Sequence, residues 1–339
     1  MARNESYFIQ NFASDFGTYD VSRDETFHPE CRTSQPHHAL TETQYFGFCI
    51  PEHNIHAFLY LWHHPNLGVV SAGPLVFQGK KAISLACELI DYRQYIPDSQ
   101  LGGGYTKFEL ESSYAVTMVE PGRKFHLRYN DPARQNSYDL MFTGVSAPMV
   151  WSTSRHFEQV MRVEGDLSLR GKRYRVDGFN IRDRSWGEAR LEDPVPGPPA
   201  VWTTGTFDAD FAFNVTSLNH PDLNPIWKSR FSIDPEKTLK FGWLIVDGAP
   251  VAAKSVRAVT HYDRATLMAD RMEMEVTDMR GRVFNIKGTV VAAAPLNTWL
   301  NLRVPICLTR WECNGRVGWG DIQEAQWTDF LQTFHPSQG

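Results

Sequence analysis

Residues 45–81 read YFGFCIPEHNIHAFLYLWHHPNLGVVSAGPLVFQGKK. Runs rich in aromatic and β-branched side chains are cut by Pro51, Asn54, Pro65-Asn66 and Gly68, the punctuation of antiparallel strands. The same texture continues outward. FELESSYAVTMVE and KFHLRYNDP are short and turn-bounded, with Pro121-Gly122 and Asn130-Asp131-Pro132 as hairpin loops. Residues 156–190 supply two or three more strands around Arg170-Gly171-Lys172 and Asp177-Gly178. In the second half, Asp247-Gly248, Arg280-Gly281 and Asn314-Gly315 join paired strands, the last being a strong hairpin signal.

Sustained amphipathic helix is nearly absent, and residues 1–44 read as loops and short helices. Many short strands at roughly ten-residue spacing make the expected fold all-β, two consecutive antiparallel lipocalin-like (calycin-type) barrels or sandwiches. A length of 339 residues suits two domains. LEDPVPGPP, residues 191–199, carries four prolines and suits neither a helix nor a central strand. It is either a connection or a long loop. The expected division is residues 1–190 for an N-terminal β-sandwich or lipocalin-like domain and 191–339 for a C-terminal lipocalin-like barrel.

A net charge of −5 with 22% charged residues gives no electrostatic reason to expect nucleic acid or an anionic membrane. The five cysteines are scattered, with no CxxC, which suits a reducing compartment. With no apolar leader and no apolar run approaching the length of a membrane span, the expected location is the cytoplasm. A homodimer is compatible with the sequence.

The residues that carry chemistry centre on NIRDRSWG, 180–187. Along a strand, Asp183 and Ser185 share one face, and Arg182, Arg184 and Trp186 take the other. Facing an apolar cavity, Asp183 would be held protonated and able to donate; with an arginine folded back on it, it would be a structural anchor. His156 and Glu158, in SRHFEQV with Gln159, share a strand face, close enough for a carboxylate to orient an imidazole. Taken alone, that pair is equally an ordinary polar strand face. None of the His pairs forms HExxH, so no metal is expected. There is no GxSxG elbow, and Gly102-Gly103-Gly104 lacks the context of a nucleotide fingerprint. Trp202, Trp243, Trp299, Trp311, Trp319 and Trp327 read mainly as barrel core, with some available to wall an apolar ligand cavity.

HFEQ, then GFNIRDRSWGEAR, then a β-rich second half closing with NGRVGWGDIQEAQW, resembles the carotenoid 1,2-hydratase (hydroxyneurosporene synthase) family and its AttH-like relatives. The resemblance spans about Tyr45 to Trp327 and is specific around 156–190. It implies tandem lipocalin-type β-domains with a ligand cavity associated with their junction. Lipocalin-like pericyclases and a yeast survival factor with a lipid-related role share the architecture. The resemblance places the family's His on His156 and its Asp on Asp183. Glu158 stands where the hydratases have Trp, and Ile181 where they have Tyr.

The expected activity is that of a cofactor-independent lyase or isomerase (hydratase, dehydratase or cyclase) acting by acid chemistry on a hydrophobic isoprenoid-like or polyketide-like small molecule. Asp183, His156 and Glu158 carry the protons, and Trp186, Trp202, Ser185 and Gln159 surround the substrate. The alternative is a non-catalytic, lipocalin-like carrier of an apolar metabolite. In a third reading NIRDRSWG is a brace, its arginines pairing with acids of the other half and Trp186 wedging the interface.

Overall fold

The computed structural model describes residues 16–28, 39–151, 155–189, 198–224, 233–299, 302–327 and 331. The prolines at 194 and 196, Cys31, and the paired His37 and His38 lie outside these. The chain divides into two compact units: Met1–Val76 with Cys87–Leu191, and Phe77–Ala86 with Glu192–Gly339. The fold is all-β, as the alternation and turn chemistry require.

The first unit carries β1 (Leu40–Ile50), β2 (Ile55–His64), β3 (Val69–Gln78), β4 (Leu89–Ile90), β5 (Arg93–Pro97), β6 (Lys107–Glu109), β7 (Ala115–Glu120), β8 (Lys124–Asp131), β9 (Asn136–Gly144), β10 (Met149–Val150), β11 (His156–Leu169) and β12 (Lys172–Ala189). They form one twelve-stranded sheet with the path β4-β3-β2-β1-β12-β11-β9-β8-β7-β6, with β10 beside β11 and β5 beside β3. Its inward face follows a period of two: Phe46, Phe48 and Ile50 on β1 meet Leu59 and Leu61 on β2, Phe125 on β8 and Met161 and Val163 on β11. A single helical turn, α1 (Val21–Asp24), precedes the sheet, its N-terminus capped by the Asp20 carboxylate.

One expected joint is absent. Asp177-Gly178 lies within β12, where Asp177 opposes Glu164 and Gly178 opposes Val163. The turn is instead at Arg170-Gly171, whose φ angles of 49° and 81° suit a tight two-residue hairpin. Once that turn starts the ladder, fourteen consecutive pairs from Leu169↔Lys172 to His156↔Ser185 outweigh the local turn preference of Asp-Gly. SLACELIDYRQYI forms a 3-10 turn and two short strands, short and turn-bounded as its sequence suggests.

The second unit holds β13 (Val201–Thr206), β14 (Phe211–Ser217), β15 (Leu239–Val246), β16 (Ala249–Tyr262), β17 (Ala269–Asp278), β18 (Val283–Trp299), β19 (Leu302–Cys313), β20 (Arg316–Glu324) and β21 (Gln326–Trp327). Pairing of β18 with β19 closes the path β18-β17-β16-β15-β14-β13-β20-β19 into an eight-stranded barrel, and β21 adds to β19. Hairpins turn at Asp247-Gly248 and Asn314-Gly315, all four residues at positive φ. Trp311 fills the interior with Phe213 and Ile286. A Cβ on Gly288 would stand 2.4 Å from the Trp311 ring, so glycine there makes room for the indole. The Phe77–Ala86 segment joins this barrel: Lys81 N–H donates to the Ala293 carbonyl at 2.7 Å and Ser84 Oγ to that of Pro295 at 2.6 Å.

Candidate functional site

The β11–β12 ladder decides what the predicted residues can do. Glu158 opposes Asp183, and His156 opposes Ser185. On the other side of β12, β1 sets Tyr45 opposite Asp183 and Thr43 opposite Ser185. Asp183, Glu158, His156 and Ser185 therefore occupy one patch of the sheet's outward face. His156 Nε2 lies 2.8 Å from Glu158 Oε1, and Trp151 Nε1–H donates to Glu158 Oε2 at 3.4 Å. The Trp151 ring packs on the imidazole with centroids 4.5 Å apart. Thr43 and Ser185 hydroxyls hydrogen-bond at 2.7 Å.

Although it faces outward, the patch is largely covered, with Asp183 and His156 keeping intermediate exposure. Glu158 and Tyr45 are buried, Ser185 is 5% exposed, and His156 is half-buried. A buried carboxylate that accepts from both an imidazole and an indole fixes the ring's tautomer: Nε2 carries the proton toward Glu158, and Nδ1 becomes the basic nitrogen. Such an arrangement can take up and return a proton. Asp183, across the ladder from Glu158, adds a second carboxyl within about 5.5 Å Cα to Cα.

The opposite face of the same hairpin is a buried charge network. Arg182 and Arg184 point inward and are fully buried. Arg182 pairs with Glu25 at 2.8 Å, and its Nε donates to Gln159 Oε1 at 2.8 Å. Arg184 pairs with Glu42 at 3.3 Å and donates to the Asp24 carbonyl at 3.0 Å. Their guanidinium groups lie over the Phe125 and Tyr105 rings at 4.2 and 4.0 Å. The acids that answer these arginines thus belong to the first unit itself, not to the other half of the chain.

Trp186 also turns inward, stacked on the His28 ring at 4.2 Å with an interplanar angle of 5°. Gln159 is committed at both ends, its Nε2 donating to the Ser146 carbonyl at 2.8 Å. Neither is presented with Asp183, because odd and even positions of paired strands face opposite ways. The network is electrostatically self-consistent. Burial alone would raise the Glu42 carboxyl, but the hydrogen bond from His28 and the charge of Arg184 hold it below the usual carboxylate range. Burial and the neighbouring Glu25 push the Tyr19 phenol far above its ordinary value.

Trp202 stands half-buried on β13 of the second unit. Sequence reasoning missed Trp151, Thr43 and Tyr45, and the acids Glu25 and Glu42. For Glu42 a signal existed: it and Gln44 continue the even-numbered stripe of Phe46, Phe48 and Ile50, marking a polar end to an apolar face. Among the described residues, no three His, Cys, Asp or Glu side chains converge as metal ligands. An open groove of about 660 Å³ on the first unit, over Arg128, Asp139 and Arg173, contains none of the site residues.

Residues 23–329 match the family described as a domain of unknown function (DUF7064). The chain belongs to that family. No curated protein sequence matches it. Among solved structures, this DUF7064 chain is similar to kievitone hydratase from Nectria haematococca, with a TM-score of 0.55 and 9% identity over 94% of this chain and 98% of that one. CghA gives a TM-score of 0.57 and 13% identity over 86% and 89% of the two chains. An AttH-like protein from Nitrosomonas europaea gives 0.53 and 12% over 91% and 97%. At these identities the likeness is one of fold, and it places this DUF7064 chain in the architecture of hydratase and AttH-like structures.

Proposed function

We propose that the protein is a cofactor-independent lyase or isomerase of the hydratase or cyclase type, acting on a hydrophobic isoprenoid-like or polyketide-like small molecule. The observation that carries this is the His156–Glu158 hydrogen bond at 2.8 Å on the face that β12 shares through Asp183. The fold shared with a protein named as a hydratase supports the reading.

Asp183 delivers a proton to one alkene carbon of the substrate, leaving cationic character on the other. The buried neighbours Glu158, Tyr45 and Ser185, together with the bound apolar substrate, limit the access of bulk water to it. In hydration, one positioned water adds its oxygen to that carbon, and the proton it sheds passes to His156 Nδ1 while Glu158 stabilises the imidazolium. Return of that proton to Asp183 resets the site. Without the water, loss of a neighbouring C–H proton to the same base gives an isomer; attack by a second alkene closes a ring and moves the cation, and the ring is completed when a C–H proton beside that new centre passes to the same base.

The test needs no guessed substrate. The purified protein is incubated with a lipid and terpenoid extract in heavy water enriched in oxygen-18, alongside Asp183→Asn, and the products are profiled by mass spectrometry. Compounds carrying both labels indicate hydration, and carbon-bound deuterium without oxygen-18 indicates isomerisation or cyclisation. Either signal should disappear in Asp183→Asn. Unlabelled molecules co-purifying equally with both proteins would overturn catalysis in favour of a carrier.

A further inference from the structure

The sheet row that carries His156 continues past it through two hydroxyls. Ser185 on β12 opposes His156 on β11 and Thr43 on β1, and Thr43 in turn opposes Trp62 on β2. The Trp186 N–H donates to the Arg155 carbonyl at 3.0 Å. In the alternation of an antiparallel ladder the next pair, Ser185 and His156, is therefore a non-hydrogen-bonded one. Such pairs bring their side chains closest, with Cβ atoms about 4.5–5.5 Å apart. Ser185 Oγ thus stands beside the imidazole.

Thr43 fixes that hydroxyl in place. Its Oγ1 lies 2.7 Å from Ser185 Oγ and also accepts the Ser185 backbone N–H at 3.2 Å. With a backbone donor already on it, Thr43 Oγ1 is best satisfied by giving its own proton to Ser185 Oγ. A serine hydroxyl offers one donor and two acceptor positions, and the bond to Thr43 uses one of them. The same oxygen can therefore hold a small polar molecule while it is tied down.

Asp183 lies on the same face two residues earlier, about 7 Å along the strand. That spacing leaves room for a double bond between the carboxyl and a water on Ser185, each approaching a carbon at about 3 Å. Asp183 and His156 keep intermediate exposure, so solvent reaches this end of the patch. Thr43 is buried and Ser185 is nearly so, which holds the hydroxyl pair at the floor of the patch.

We infer that Ser185 Oγ, held by Thr43, binds the water that adds to the substrate, so that this hydroxyl decides between hydration and the water-free outcomes. This rests on the reading of the protein as a hydratase-type lyase. The water donates one hydrogen to Ser185 Oγ and the other to His156 Nδ1. Its lone pair forms the C–O bond, the O–H bond toward the imidazole breaks, and that proton stays on Nδ1. Ser185 remains a neutral hydroxyl throughout. It touches a reacting atom, whereas Thr43 is a positioning residue that acts through it.

Two measurements test this, the first without turnover. A crystal structure of the full chain should show an ordered water within hydrogen-bond distance of both Ser185 Oγ and His156 Nδ1, and Ser185→Ala should lose it. A wild-type structure with no water on Ser185 Oγ overturns the inference. The second measurement uses the lipid and terpenoid extract in heavy water enriched in oxygen-18. Of the deuterated products, the share that also carries oxygen-18 should fall about tenfold in Ser185→Ala and in Thr43→Val. Ser185→Thr, which keeps the hydroxyl, should restore it. An unchanged share in both variants overturns the role, because a purely structural loss lowers both labels together. Wild-type products with deuterium and no oxygen-18 overturn it as well. If the water is present but wild type yields no labelled product, the proposed reaction itself fails, and this role with it.

Discussion

Arg182 and Glu25 lie 2.8 Å apart with both side chains fully buried, inside a face lined by Phe125 and Phe157. Glu25 precedes the sheet, so this one contact ties the segment following α1 to the β12 strand that carries Asp183. Removing one charge strands the other: Glu25→Gln should destabilise the fold by about 3–5 kcal/mol. Glu25→Leu combined with Arg182→Met should recover most of that loss. Urea denaturation followed by circular dichroism measures both. A loss under about 1 kcal/mol for Glu25→Gln would contradict the pairing.

The His156–Glu158 pair and Asp183 act in one proton cycle, so their losses should not add. Once a turnover assay exists, His156→Gln and Glu158→Gln should each slow product formation by about 10²–10⁴-fold. The double variant should be little slower than the worse single variant. Fully multiplicative losses would mean that Glu158 does not work through the imidazole.

Glu324 ends β20 inside the second barrel, where Tyr262 O–H donates to its Oε1 at 3.0 Å and Gln326 Nε2–H to its Oε2 at 2.8 Å. Burial raises its carboxyl to about 7, against the opposing pull of those hydrogen bonds and of the Arg303 charge. The folded state therefore holds the proton more tightly than the unfolded chain, whose glutamates titrate near 4.3. Its contribution to stability is full below about pH 4.3 and is lost as pH rises through 7, a change on the order of 3 kcal/mol. Thermal melts across that window should show Tm falling with pH, and Glu324→Gln should flatten that part of the profile. An unchanged slope in the variant would assign the pH dependence elsewhere.

Gly288 lies under the Trp311 ring, and a methyl group there would meet it at 2.4 Å. The indole fills the barrel and has no room to retreat, so Gly288→Ala should cost about 1–3 kcal/mol. Intrinsic fluorescence should shift as Trp311 is displaced. A melt indistinguishable from wild type would show the core to be looser than its packing indicates.

Much of the site is written locally. His156 and Glu158 share a face because strand side chains alternate, and that needs only two residues of spacing. The Arg170-Gly171 turn fixes the ladder and thereby sets Glu158 against Asp183, a pairing that follows from placing one turn correctly. Asp177-Gly178 obscured it, since local turn preference alone cannot rank two adjacent Asp-Gly-like and Arg-Gly joints. Trp186 and Gln159 stand three residues from Asp183 and His156 respectively, and the same alternation turns both inward, where Trp186 stacks on His28 and Gln159 accepts from Arg182.

By itself, then, the sequence determines that this chain is all-β, where most hairpins turn, and which polar residues share a strand face. These depend on backbone sterics and a period of two, both local. Only the tertiary structure decides which face becomes interior, for β1 and β2 are buried on both sides and show no sidedness of their own. It alone brings Glu25 to Arg182 and sets Glu42 beside Arg184. Those outcomes depend on contacts between strands distant in the chain, which no local pattern specifies.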